Sequence, residues 1–215
     1  PTNTITDSLE LCRQSLLAMG LDAIADGKLL DLLRRLETFG SHLVTLDIRQ
    51  ESTRHSDVIG EITEALGLGD YQTWSELEKQ AFLEAEIANP RPLLPINFIA
   101  SKPCQEVIDT FRVIANAPRE ALGCYVISMA SQPSDVLAVQ LLLNAAGGPL
   151  DLPVSPLFET LDDLDGAPAT IDALLSNDAF KARANNAMVI MIGYSDSAKD
   201  AGICLLYTSP SPRDG

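Results

Sequence analysis

Met188-Val189-Ile190-Met191-Ile192-Gly193-Tyr194-Ser195-Asp196-Ser197-Ala198-Lys199-Asp200-Ala201-Gly202 is the stretch on which the fold turns. Five apolar residues stop at Gly193, and a dense polar cluster follows. A short apolar run bounded in this way reads as a buried strand. Its carboxyl end delivers Asp196 and Lys199 into one small space, where parallel α/β proteins build their sites. An ordinary strand-to-helix turn, with Ser195 or Asp196 as the helix cap, accounts for the same pattern. Both readings stay open on this stretch alone.

Working outward, the same unit recurs three times upstream. Residues 42–48 (His-Leu-Val-Thr-Leu-Asp-Ile) read as a first strand ending in Arg49-Gln50-Glu51-Ser52-Thr53-Arg54-His55. Residues 124–129 read as a second strand, ending at Ser131. Residues 153–158 read as a third, with Glu159 at its end. Between them lie helical patterns. Residues 6–19 carry Leu9, Cys12, Leu16 and Met19 on one face, and Asp26 can cap a helix that stops at Gly40. Further helices are expected over 73–89, 103–116 and 136–144, the last apolar nearly all round and so deeply buried, with Ser134 able to cap it. Shorter ones are expected over 167–176 and 178–183. The alternation predicts an α/β fold with about four parallel strands and many helices.

Composition narrows the functional classes. The chain of 215 residues has a net charge of −15 and 46% hydrophobic residues. That is enough for a sizeable core, and no basic stripe suits a nucleic-acid partner. No apolar stretch approaches the ~20 residues of a membrane span. Cys12, Cys104, Cys124 and Cys204 have no metal-ligand spacing, and no secretory signal precedes them, so free thiols in a reducing, cytoplasmic setting are expected. With only His42 and His55, a multi-histidine metal site is excluded within this sequence.

Right-handed crossovers would put the four strand ends, with Arg49, Ser131, Glu159 and Asp196, on one side of a parallel sheet. At Arg49 the alternative is a solvated charged turn with internal ion pairs. If the ends do converge, two carboxylates from neighbouring strands suit a hard cation such as Mg²⁺ or Mn²⁺. The cation and Arg49 together would hold a phosphorylated, carboxylated anion, and Lys199 could add charge stabilisation or proton transfer. The pattern suggests metal-assisted chemistry on a small anionic metabolite.

Several long collinear stretches also resemble the bacterial-type phosphoenolpyruvate carboxylases. They are Leu46-Asp47-Ile48-Arg49-Gln50-Glu51-Ser52 with Arg54-His55, and Asn89-Pro90-Arg91-Pro92-Leu93-Leu94-Pro95. They continue with residues 125–130 and 133–139, with Pro156-Leu157-Phe158-Glu159-Thr160-Leu161-Asp162-Asp163-Leu164, and with residues 191–202 of the opening stretch. The resemblance covers residues 1–203. It implies part of a helix-rich, TIM-like (β/α) barrel and the carboxylation of phosphoenolpyruvate by bicarbonate to oxaloacetate, with release of phosphate. In this family phosphate passes to bicarbonate, giving carboxyphosphate and the enolate of pyruvate, and the enolate attacks the CO₂ released. Carried over by motif, Glu159 and Asp196 are the metal ligands for Mg²⁺ or Mn²⁺. Arg49 is a phosphate-contacting, catalytic arginine, Lys199 is a second catalytic residue, and Arg54 and His55 have a supporting role. Homotetramers are usual in the family. Its catalytic histidine and its glycine- and arginine-rich loop fall in segments outside this sequence. The 215-residue chain alone is therefore expected to be non-catalytic. Another metal-dependent barrel enzyme acting on a phosphorylated keto acid would share only the carboxylate pair.

The resemblance stops at Ile203. Residues 204–215, Cys-Leu-Leu-Tyr-Thr-Ser-Pro-Ser-Pro-Arg-Asp-Gly, carry two prolines where the family continues a helix. Through Asp214 they resemble the translation of a transposase-based sequencing adapter. They are expected to be a non-native tail, to be set aside in reasoning about the fold.

Overall fold

The structure, a computed structural model, describes residues 2–95, 97–178, 180–181, 188–194, 197 and 199. Asp196 and the 204–215 tail lie outside the described residues. The chain divides into two units, Pro1–Leu46 and Asp47–Gly215.

The first unit is helical: α1 (Thr2–Ala18), a short α2 (Asp22–Ile24), a π-type turn over Ala25–Leu29, and α3 (Leu30–Phe39). Asp26 does not cap a helix as expected. It sits inside the π-type turn, where its carboxylate accepts a hydrogen bond from Arg13 at 2.8 Å. Gly27 takes a non-helical ψ of −132° and kinks the chain there. Gly40 ends α3 at φ 59°, and its N–H donates to the Leu36 carbonyl.

The second unit is α/β. It holds all but the first residue of β1 (Leu46–Glu51), then α4 (Ser52–Ala65), α5 (Glu76–Ala88), α6 (Lys102–Asn116), β2 (Leu122–Ser128), α7 (Pro133–Ala146), β3 (Val154–Phe158), α8 (Leu161–Ser176) and β4 (Met191–Ile192). The four strands form one sheet in the order β1-β2-β3-β4. β2 and β3 run parallel with Tyr125 opposite Val154, and β3 and β4 run parallel with Phe158 opposite Ile192.

β1 begins four residues later than its apolar pattern predicts. Residues 42–45 are taken up by the turn after α3, where Leu43 has φ 68° and its N–H returns to the Phe39 carbonyl. Arg49 therefore lies in the strand rather than beyond it. α8 likewise starts six residues earlier than predicted. Thr160 caps it through a reciprocal pair of bonds with Asp163, each 3.1 Å, and Pro168 is accommodated inside.

The core packs the apolar stripes of α4 (Val58, Ile59, Ile62) and α6 (Val107, Phe111, Ile114) with α7 and the helix-side residues of β2. As expected, α7 is buried nearly all round, from Pro133 to Leu143. Its amino end is not capped by Ser134. Gln132 is the cap, and Asp135 accepts the N–H groups of Ser131 and Gln132 at 2.9 and 3.0 Å. Ser134 instead donates its hydroxyl and its N–H to Glu76 of α5. A buried helix start has no water to satisfy these groups, so a neighbouring carboxylate does.

His55 in α4 is fully buried, and its Nε2 lies 2.7 Å from the Tyr125 hydroxyl. Tyr125 donates its one proton to Gln50 Oε1 at 3.1 Å. His55 Nε2–H must then be the donor to Tyr125, and Nδ1, buried without a partner, is the bare nitrogen of a neutral ring. Burial, with help from the Arg54 charge, lowers the His55 pKa to about 3. The unfolded chain binds this proton near pH 6.5, so the stabilisation is complete above that pH. It is lost as the pH falls from 6.5 towards 3, at about 1.4 kcal/mol per pH unit. Urea midpoints should show the chain losing about 2 kcal/mol more than its His55→Phe variant between pH 7.5 and 5.0. Equal losses would mean that His55 is not buried neutral.

Candidate active site

Glu159 is the single residue between the end of β3 and the cap of α8, so its backbone is fixed from both sides. Its side chain is only 6% exposed, and both carboxylate oxygens are engaged. Oε1 accepts from Arg49 Nη2 at 2.9 Å, and Oε2 accepts from the Met129 N–H at 3.1 Å. The Glu159 carbonyl accepts from the Ser197 hydroxyl at 2.7 Å. Ser197 is fully buried at the end of β3.

Arg49 is the asymmetric partner. It reaches Glu159 across 110 residues of sequence, yet its own side chain is 56% exposed. A guanidinium presents five N–H donors in a fixed fork. Arg49 can therefore hold the buried carboxylate with one edge and offer the rest to an anion arriving from solvent. Removing Arg49 would leave Glu159 buried without its counter-ion, a situation that typically costs ~3–5 kcal/mol when such a pair is fully buried and less here, where one side is wet.

Met129 follows β2 with φ 55°, the left-handed region, which costs a non-glycine residue on the order of 1–2 kcal/mol. Its carbonyl accepts from the Ser52 hydroxyl at 2.8 Å, and Ser52, the first residue of α4, is buried. The ends of β1, β2 and β3 are thus joined by side-chain bonds that meet at one carboxylate. Thr170 of α8 adds a bond to the Ser131 carbonyl at 2.8 Å.

Gly193, just after β4, is hemmed in on the side a Cβ would occupy. A Cβ there would come within 3.0 Å of Glu159 Cγ, 3.2 Å of Glu159 Cα and 3.3 Å of the Phe158 carbonyl oxygen. Its own N–H donates to that carbonyl at 2.9 Å. The glycine marks a close approach of two backbones beside the carboxylate.

The structure brings Arg49 and Glu159 together on one rim, where Arg49 pairs with a carboxylate distant in sequence rather than within its own turn. Lys199 stands exposed in a helical stretch, and Asp196 is not among the described residues. Among the described residues no three His, Cys, Asp or Glu side chains gather as a metal cluster. The Glu159 carboxylate is a hard oxygen donor, of the kind Mg²⁺ and Mn²⁺ take one or two at a time. The sequence gives no site role to Ser52 or Met129, and marks Gly193 only as the end of an apolar run.

A family model described as phosphoenolpyruvate carboxylase matches residues 2–206. The chain is 58% identical over 197 residues to a phosphoenolpyruvate carboxylase of Vibrio parahaemolyticus, 57% identical to one of Vibrio vulnificus and 56% identical to one of Yersinia enterocolitica. Each alignment covers 92% of this chain and 22% of the relative, so the chain spans about a fifth of the length of the curated relatives it matches.

Proposed function

The chain belongs to the phosphoenolpyruvate carboxylase family, and from that premise we propose that it is a piece of an enzyme joining bicarbonate to phosphoenolpyruvate, giving oxaloacetate and inorganic phosphate. The observation that supports this reading best is the Arg49–Glu159 pair, a half-exposed guanidinium held at 2.9 Å against a buried carboxylate. The reaction breaks the phosphate ester of the substrate and forms a carbon–carbon bond at its methylene carbon. The substrate carries both a phosphate and a carboxylate, and a site for it needs fixed positive charge. Arg49 supplies that charge, binding the phosphate through the N–H groups not turned to Glu159. Glu159, with Asp196 as the second carboxylate, would hold Mg²⁺ or Mn²⁺. When bound, the ion would polarise substrate oxygens and offset the charge of the enolate. Lys199 adds positive charge for the carboxylation step.

In this reading the four-stranded parallel sheet is part of a (β/α) barrel, whose sites lie at the carboxyl ends of the strands. The full-length enzyme would be a cytoplasmic homotetramer. No helix among the described residues is long and apolar enough to cross a membrane. A different barrel enzyme sharing only the carboxylate pair is disfavoured, because 56–58% identity runs through 92% of the chain.

The test is a chimera in which residues 2–203 replace the matching segment of the Vibrio parahaemolyticus enzyme. It is expected to form oxaloacetate, followed by coupled malate dehydrogenase and NADH oxidation, only when both phosphoenolpyruvate and bicarbonate are present. A chimera that melts like its parent yet forms no oxaloacetate would overturn the proposal.

A further inference from the structure

We infer that Met129 is a positioning residue: its strained peptide sets the orientation of the Glu159 carboxylate. Two independent bonds converge on this one residue. Its N–H donates to Glu159 Oε2 at 3.1 Å, and its carbonyl accepts from the Ser52 hydroxyl at 2.8 Å. Together with ψ, the φ torsion sets the direction of the carbonyl relative to the N–H. With the N–H held on Glu159 and ψ unchanged, a negative φ would swing the carbonyl away from Ser52. At φ 55° both are made. Strain of this kind persists where the surroundings over-determine it, and it concentrates at functional sites.

The two donors on Glu159 have different roles. Arg49 is more than half exposed, so it keeps one N–H on Oε1 and shares the others with an arriving anion. The Met129 N–H belongs to a backbone pinned by a buried serine. It stays on Oε2 whatever else Arg49 binds, and so holds the carboxylate plane as the anion enters. Ser52 acts through Met129, so the first turn of α4 aims a side chain that lies 107 residues further along the chain.

This inference concerns the placement of Glu159, and only its metal arm rests on the proposed ligand role. Two measurements on the 215-residue chain separate the parts. Hydrogen exchange at the residue 129 amide, read by NMR, needs no metal. It should be at least tenfold faster in Glu159→Ala and in Ser52→Ala than in the unsubstituted chain, and Ser52→Thr should restore the slow rate. Met129→Gly should also exchange faster, while its melting temperature holds or rises because glycine accepts φ 55° without strain. A residue that only stabilised the fold would not give that pairing. Equal exchange rates in the unsubstituted chain, Glu159→Ala and Ser52→Ala would overturn the inference. In the second measurement, Mn²⁺ uptake is followed by the loss of its free-ion electron paramagnetic resonance signal. Affinity should fall about fivefold in Ser52→Ala and be lost in Glu159→Gln. If the exchange pattern holds but Mn²⁺ uptake is the same in Glu159→Gln as in the unsubstituted chain, positioning stands and the metal-ligand role of Glu159 falls.

Discussion

Glu159→Gln, placed in the full-length chimera, is expected to lower kcat/KM for phosphoenolpyruvate by at least about a thousandfold, or roughly 4 kcal/mol of transition-state stabilisation. The substitution is nearly isosteric and leaves a carbonyl oxygen that can still accept from Arg49 or from Met129. What it removes is charge. A neutral amide is a poor ligand for a hard dication, and it no longer balances the guanidinium 2.9 Å away. Folding should be little affected. The carboxylate is 6% exposed, and a neutral amide of the same shape costs less to bury than a charge. Melting temperature and activity should therefore separate, with melting close to the unsubstituted chimera while oxaloacetate formation falls to background. Raising Mg²⁺ or Mn²⁺ tenfold should recover part of the rate if the loss is one of metal affinity. A variant retaining more than a tenth of the activity would remove Glu159 from the metal site.

The pairing behind that expectation was readable before any coordinates, but only in outline. Alternation of apolar runs and polar ends placed Arg49 and Glu159 at strand ends, and parallel topology put those ends on one side. The sequence pattern misplaced β1 because Leu43 and Val44 are apolar yet belong to a turn, and both remain exposed. It also left Thr160 in a loop, since the acidic residues that follow look like solvent-facing coil until Asp163 is seen returning to the Thr160 N–H. In α7 it gave burial correctly, because a helix apolar on every side has nowhere else to go. It gave the cap wrongly, because Ser134 had a partner in Glu76, 58 residues away. Met129 was invisible for a stronger reason. Methionine has no preference for positive φ, and its conformation is imposed by Ser52 and Glu159 from other elements. Local propensity reads what a residue favours, whereas sites are assembled where tertiary contacts overrule it.

Gly193→Ala should reduce kcat/KM about a hundredfold in the chimera. The added Cβ would lie 3.0 Å from Glu159 Cγ, 3.2 Å from Glu159 Cα and 3.3 Å from the Phe158 carbonyl oxygen. Two of these three atoms are backbone and cannot rotate aside. They are held by the pairing of Phe158 with Ile192 and by the Gly193 N–H bond to that same carbonyl. Gly193 does not have a positive φ, so alanine meets no torsional strain and the effect is a steric one. The Glu159 side chain is the softest of the three neighbours. It will turn first, leaving the Met129 N–H and Arg49 behind, while the fold loses about 1–3 kcal/mol from local overpacking. That mechanism has a signature that simple destabilisation lacks. If Gly193→Ala acts by displacing Glu159, the double substitution with Glu159→Gln should be scarcely slower than Glu159→Gln alone, because residues that act as a unit are lost only once. If the two effects instead multiply, the glycine serves the chemistry through something other than this carboxylate.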